Sequence, residues 1–158
     1  MKPATVAQLK KELKFRSSDE LEELCLRLAK FKKENKELLT YLLFQSHNEE
    51  TYIESVKQVI DEGFSTINTN SYYYMKKTVR KVLRMVKKYI RYSKKKETEV
   101  ELLLYFCEQL KDLRPSIKRN KTLTNLYERQ LTLVKKIITE LHEDLQHDYT
   151  LEIEELNL

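Results

Sequence analysis

One glycine and two prolines in 158 residues leave little material for tight turns. Folds built from many short strands are therefore excluded, and long helices with short connections are expected. A single glycine also excludes the glycine-rich loops that cradle phosphates or dinucleotides, and the GxSxG elbow of serine hydrolases. Tryptophan is absent and cysteine occurs twice, at Cys25 and Cys107. Neither belongs to a paired spacing; both sit in apolar helical runs (LCLRL and YFCEQL) and are expected as reduced core residues. Long apolar runs are missing as well, and the densest, residues 102–107, is far too short to span a bilayer. The opening residues, MKPATVAQLKKEL, hold no apolar leader, and neither end carries a lipidation motif. A cytoplasmic location is the expectation.

Chemistry is scarce on the same count. The three histidines, His47, His142 and His147, are scattered. Asp144 and His147 stand three apart, half of a di-metal carboxylate pattern that needs a second such pair and carboxylates on two other helices. No second pair exists, so no metal and no cofactor are expected. No carboxylate lies in an apolar stretch that would raise its pKa and mark it as a general acid. The expectation is a protein that is not an enzyme and takes no small-molecule substrate.

What the chain has in excess is positive charge, in one place. Residues 1–70 carry 11 basic and 12 acidic side chains, residues 71–121 carry 16 and 5, and residues 122–158 carry 3 and 8. Within 75–96 (MKKTVRKVLRMVKKYIRYSKKK) there are eleven Lys or Arg and no Asp or Glu. At about 100° per residue, Met75, Val79, Val82, Leu83, Val86 and Ile90 share one side of a helix. Lys77, Lys81, Arg84, Lys88, Arg91 and Lys95 fall opposite, flanked by Lys76, Arg80, Lys87 and Lys94. This predicts an amphipathic helix with an apolar keel and a cationic deck.

Other helices are read around it. Thr5 with Gln8 reads as a capping box for a short helix to about residue 14. Ser17 and Ser18 ahead of Asp19, Glu20, Glu22 and Glu23 start a helix to about residue 31, expected to bury Leu21, Leu24, Cys25, Leu28 and Phe31. After a break at 32–35, the apolar density of 36–46 predicts a helix central to the core. Asn48 caps a helix to about residue 67, in which Gly63 marks a kink, a close crossing or an early end. Residues 68–71 (NTNS) punctuate before the basic helix, and 93–98 either continue it or turn. Residues 100–113 form a second helix apolar all round, ended by Pro115. A last long helix is expected to about residue 146, its inner stripe running through Leu123, Tyr127, Gln130, Val134, Ile138, Leu141 and Leu145. The fold class is all-α: a compact bundle of six or seven antiparallel helices over residues 1–147, with 148–158 an acidic, flexible tail.

Lys33-Glu34 ahead of Glu37-Leu38-Leu39 and Tyr41 is matched, with one insertion, by Lys96-Glu97 ahead of Glu101-Leu102-Leu103 and Tyr105. Stacked hairpins of the HEAT-like kind would produce this, and so would two helices that obey the same capping rules. The phrases LCLRLAKFKKENKELLTYLLF, YIRYSKKKETEVELLLYFC and SIKRNKTLTNLYERQL resemble a bacterial family of small all-helical proteins with no assigned activity, over about residues 5–147. That resemblance implies one compact cytoplasmic domain and carries over no catalytic or binding residue.

The deck then directs the functional reading. Lys77, Arg80, Lys81, Arg84, Lys87, Lys88, Arg91, Lys94 and Lys95, extended by Arg119, are candidates for contacting an anionic partner. RNA or a ribonucleoprotein leads, because cations that track phosphates give salt-dependent affinity with little base discrimination. Tyr72, Tyr73, Tyr74, Tyr89 and Tyr92 place rings near these cations, as single-stranded nucleic acid requires, or else serve as core-edge residues with wet hydroxyls. An acidic protein surface, including the chain's own Glu152, Glu154 and Glu155, is the next partner, and a membrane surface the third. The rival reading is a protein–protein scaffold or adaptor whose charge serves solubility.

Overall fold

The computed structural model describes all of residues 1–158, and every regular element in it is helical. Eight α-helices follow in order: α1 (Val6–Leu13), α2 (Ser18–Phe31), α3 (Lys33–Thr40), α4 (Glu49–Ser65), α5 (Tyr72–Ser93), α6 (Lys96–Lys111), α7 (Lys121–Ile138) and α8 (Glu143–Glu155). A π-helical stretch, Tyr41–Gln45, follows α3, and a 3-10 turn, Ile117–Arg119, precedes α7. The chain divides into two compact units, Met1–Phe44 and Gln45–Leu158.

Side-chain caps start α1, α2, α4, α5 and α7. Gln8 donates its N–H to the Thr5 hydroxyl at 3.3 Å, and the Gln8 side chain accepts the Thr5 N–H at 2.9 Å. Ser17 and Glu20 form the same reciprocal pair at 3.2 and 3.0 Å. Asn48, Ser71 and Asn120 each accept the N–H three residues on, opening α4, α5 and α7. Each such bond satisfies a donor that the first helical turn would otherwise leave unpaired.

In the first unit α2 packs on α3, and Asn35 Nδ2 donates to the Leu28 carbonyl at 2.8 Å. Most of its large apolar residues are nevertheless outside. Leu21, Leu24, Cys25, Leu28 and Phe31, expected in the core, are exposed, and Ala29 is the only buried residue of α2. The stretch expected to be central is divided: Tyr41 is buried and Leu38 and Leu39 are half-buried, while Leu42, Leu43 and Phe44 are exposed. Periodicity tells which side of a helix needs cover, but three short helices enclose too little volume to supply it. The break foreseen at 32–35 shrinks to Lys32, one extended residue at φ −140° and ψ 145°.

The second unit has its interior around α6, which packs against α4, α5 and α7. Val100, Leu102, Leu103, Phe106, Cys107 and Leu110 are completely buried, so this helix is apolar on all sides because neighbours cover all sides. The Phe106 ring meets Phe64 of α4 at 5.6 Å between centroids. The segments matched by the apparent repeat have opposite fates, one starting the exposed α3 and the other this core helix. Burial alone pushes the Cys107 thiol up to about 12, which leaves it unreactive. Both cysteines are free.

Gly63 marks a close crossing of α4 and α5. A Cβ there would stand 2.6 Å from Cγ2 of Val82, which is buried and stiff at χ1. Inside a helix alanine ordinarily gains up to about 1 kcal/mol over glycine, but overpacking costs about 1–3 kcal/mol and is the larger effect here. Gly63→Ala should therefore lower stability by about 1–2 kcal/mol in thermal or urea unfolding. In a Val82→Ala background the same change should become neutral or favourable; an equal loss in both backgrounds would refute the crossing.

Beyond α6 the chain departs from one long helix ending near 146. Thr139 turns its hydroxyl to the Lys136 carbonyl at 2.7 Å, Gln146 Nε2 donates to the Leu141 carbonyl at 2.8 Å, and His142 Nδ1 accepts the Asp144 N–H at 3.3 Å. These side-chain bonds end α7 and cap α8. Residues 148–158, expected as a flexible tail, are helical through Glu155, with Tyr149, Ile153 and Leu156 buried. Tyr127 donates its hydroxyl to the Leu156 carbonyl, and Lys111 Nζ donates to the Glu155 carbonyl at 2.7 Å. Three apolar residues at helical spacing were enough to order the end of the chain once α7 received them.

Candidate functional site

Helix α5 runs for 22 residues with Met75, Val79, Val82, Leu83, Val86, Ile90 and Tyr92 buried. The six keel residues read from the sequence are all on that inward side. Lys77, Arg80, Lys81, Arg84 and Arg91 are exposed, and Lys76, Lys87 and Lys88 are half-buried. None of Lys76, Lys77, Arg80, Lys81, Arg84, Lys87 or Arg91 forms an ion pair. The fold thus fixes seven unneutralised cations along one side of one helix, where only solution counterions balance them.

Part of this deck is concave. Tyr73, Lys76, Lys77, Arg80, Arg84 and Lys87 line a trough of about 550 Å³, with the side of Leu83 among them. Lys81, Lys88 and Arg91 lie outside its lining. The structure also sorts the tyrosines, which the sequence left in one group. Tyr72 donates its hydroxyl to the Ser116 carbonyl at 2.8 Å. Tyr89 and Tyr92 meet edge to face at 5.8 Å, with Lys88 Nζ 4.9 Å from the Tyr89 ring centre. Those three serve packing. Tyr73 and Tyr74 are exposed at 68% and 47%, their rings edge to face at 5.3 Å.

The two ends of the deck are anchored differently. At its start, the Tyr72 bond ties α5 to the loop before the 3-10 turn that carries Lys118 and Arg119, so Arg119 is exposed beyond that end and outside the trough. At its finish, Lys94 adopts φ 58° and returns its N–H to the Ile90 carbonyl at 2.9 Å, a left-handed cap on a non-glycine residue. Glu49, at the first turn of α4, gathers the turn that follows. It accepts from the Ser93 hydroxyl and from Thr98 Oγ1 at 2.6 Å, and pairs with Lys95 Nζ at 3.2 Å. Lys96 pairs with Glu140. Lys95, a candidate for the anionic partner, is therefore engaged in holding the α5–α6 turn, and it is the weakest member of that set.

Glu152, Glu154 and Glu155 form no ion pair with α5. Instead Glu152 and Glu155 of α8, with Asp148, face Glu101 and Glu108 of α6 across a groove of about 450 Å³ that Lys57 of α4 also lines. This acidic counterpart was missed, although Asp148, Glu152 and Glu155 repeat at helical spacing. Lys57 offsets some of its charge, with Glu54 at 3.0 Å and Glu101 at 3.9 Å. Tyr149 donates to Glu101 at 3.3 Å, and burial together with the nearby carboxylates raises its hydroxyl above the usual range. Tyr105, bonded to Asp61 at 2.7 Å, is pushed up to about 12, first by burial and then by that bond. No group of His, Cys, Asp and Glu is arranged to hold a metal ion.

Glu152 is raised above the ordinary carboxylate range by burial, then by Glu101 and Glu108. A raised pKa means that the folded state binds the proton more tightly, so this group lowers stability as pH climbs through the window above the usual value of ~4.3. Glu152→Gln should therefore stabilise the protein at pH 7, and the gain should vanish below pH ~4. The side chain is mostly solvated, so screening holds the effect to about 0.5 kcal/mol or less, or ~1–2 °C in a thermal melt. A loss of stability at pH 7 would refute the repulsion.

No helix is long and apolar enough to cross a membrane. Compared with protein-family models, curated proteins and solved structures, the chain matches none of them. The fold and site thus define an all-helical protein with a basic face on one helix, and the resemblance drawn from sequence phrases gains no support.

Proposed function

We propose that this protein is a non-enzymatic binding module whose α5 face contacts an anionic macromolecule, with RNA or a ribonucleoprotein as the partner class. One observation carries the reading: seven cations without ion pairs stand on the outward side of a helix whose other side is buried. A merely solvated face ordinarily mixes both signs, and residues 75–96 contain no acid at all. Like charges held this close repel one another, and a phosphate chain relieves that repulsion while releasing its own counterions.

The test is the ratio of absorbance at 260 and 280 nm for protein purified from cells at low salt, repeated after a high-salt wash. With ten Tyr and no Trp the protein absorbs weakly at 280 nm, so carried nucleic acid stands out. A high ratio that falls on washing is the expected result. A clean protein at low salt that also fails to bind added RNA would overturn the reading.

A second reading, a protein–protein adaptor, is favoured by a different observation. Phe15, Leu28, Phe31, Leu43 and Phe44 of the first unit are each more than 60% exposed, and so much open apolar surface commonly marks a protein contact. In that case substitutions on α5 leave partner capture intact, while Phe31→Asp with Leu43→Asp abolishes it.

A further inference from the structure

We infer that the α5 trough receives single-stranded RNA, with a base stacked on Tyr73 and the phosphates following Lys76, Lys77, Arg80, Arg84 and Lys87. This rests on the reading of α5 as a polyanion-binding face and narrows it to one strand state. Cations alone would suit any polyanion. The trough adds two features that phosphates cannot use: an aromatic ring at one end and a leucine side, Leu83, among the cations.

Of the two exposed tyrosines, Tyr73 lines the trough and Tyr74 does not. The hydroxyls or rings of Tyr72, Tyr89 and Tyr92 are occupied by packing within the unit. Tyr73 is 68% exposed and lines the trough, its ring T-shaped to that of Tyr74 at 5.3 Å, a pairing that steadies the ring while leaving most of the side chain in water. Six ring carbons held in water at the mouth of a cationic trough match what unpaired bases stack against. A duplex cannot use this ring, because its base faces are closed within the stack and an A-form major groove admits no side chain. From Tyr73 to Lys87 the helix rises about 21 Å, room for about six stacked nucleotides at 3.4 Å each.

Fluorescence anisotropy with a labelled 12-nucleotide RNA of mixed sequence, the same strand annealed to its complement, and heparin as a baseless polyanion separates the possibilities. The wild-type chain should bind the single strand at least tenfold more tightly than the duplex. Tyr73→Ala should weaken single-strand binding about five- to a hundredfold, as loss of one stacked base does. It should leave duplex and heparin binding within twofold, and Tyr73→Trp should restore the preference. Because the side chain is exposed, far-UV circular dichroism should not change. Equal binding of single strand and duplex, with Tyr73→Ala indifferent, would overturn the stacking inference and leave the polyanion reading standing. Binding to none of the three probes would overturn both. A labelled DNA strand of the same sequence is the fourth probe, and its binding as tightly as the RNA would overturn the assignment to RNA while retaining the stacked base.

Discussion

Replacing Lys77, Arg80 and Arg84 with glutamate should cut RNA affinity by at least about a hundredfold at moderate salt and leave the fold intact. All three side chains are exposed, form no ion pair and line the trough, so no buried contact is lost. Surface substitutions of this kind usually move stability by less than about 0.5 kcal/mol, and relief of repulsion along α5 works in the favourable direction. Binding responds differently. Each phosphate contact contributes about 0.7 to the slope of log affinity against log salt for a single strand. Losing three contacts lowers that slope by about 2, and the introduced carboxylates add repulsion. A titration at several salt concentrations therefore checks two quantities at once, the affinity and its slope. Unchanged affinity with an unchanged melting curve would move the assignment from α5 to the exposed apolar residues of the first unit. Lys95→Glu is the internal control: its ammonium already faces Glu49 at 3.2 Å, so the variant should damage the α5–α6 turn more than the binding.

What was legible in the sequence were features that neighbours in the chain decide. Thr5 with Gln8, Ser17 with Glu20, Asn48, and Ser71 at the end of the NTNS stretch start helices because each satisfies an N–H three residues away. The keel of α5 was legible for a related reason. Apolar residues at helical spacing beside an unbroken run of cations allow only one orientation of that helix. Gly63 was readable as an anomaly, and the structure selects the close crossing among its explanations. What could not be read depends on distant partners. His142 is the local exception: its ring caps α8 through the Asp144 N–H two residues on, a task for which histidine is not among the preferred residues. The end of the chain looked flexible because its acidic residues concealed Tyr149, Ile153 and Leu156, which α6 and α7 make useful. The acidic groove needs α6 and α8 side by side, which no window of sequence displays.

Phe106→Ala and Phe31→Ala put the largest misreading to a measurement. Both rings sit in helices with dense apolar patterning, and both were expected in one core. Phe106 is 0% exposed and packs on Phe64, whereas Phe31 is 77% exposed. Emptying the Phe106 site removes the transfer energy of a whole ring and leaves a cavity walled by α4 and α6, a loss of about 3–5 kcal/mol. That corresponds to a fall of roughly 10–20 °C in the midpoint of thermal unfolding. Phe31→Ala removes a ring already in water and should move the midpoint by about 1–2 °C in either direction. The comparison reads out where the stability of this chain resides, because the difference between the variants is the burial of one ring against the other. Near-equal losses would mean that the first unit buries Phe31 in solution, and would remove the observation that favours an adaptor. A large loss at Phe106 alone keeps both functional readings alive on separate parts of the chain. A stable helical core in 45–158 would then carry the cationic trough, and an apolar segment that contributes little to stability would remain free to be used in binding.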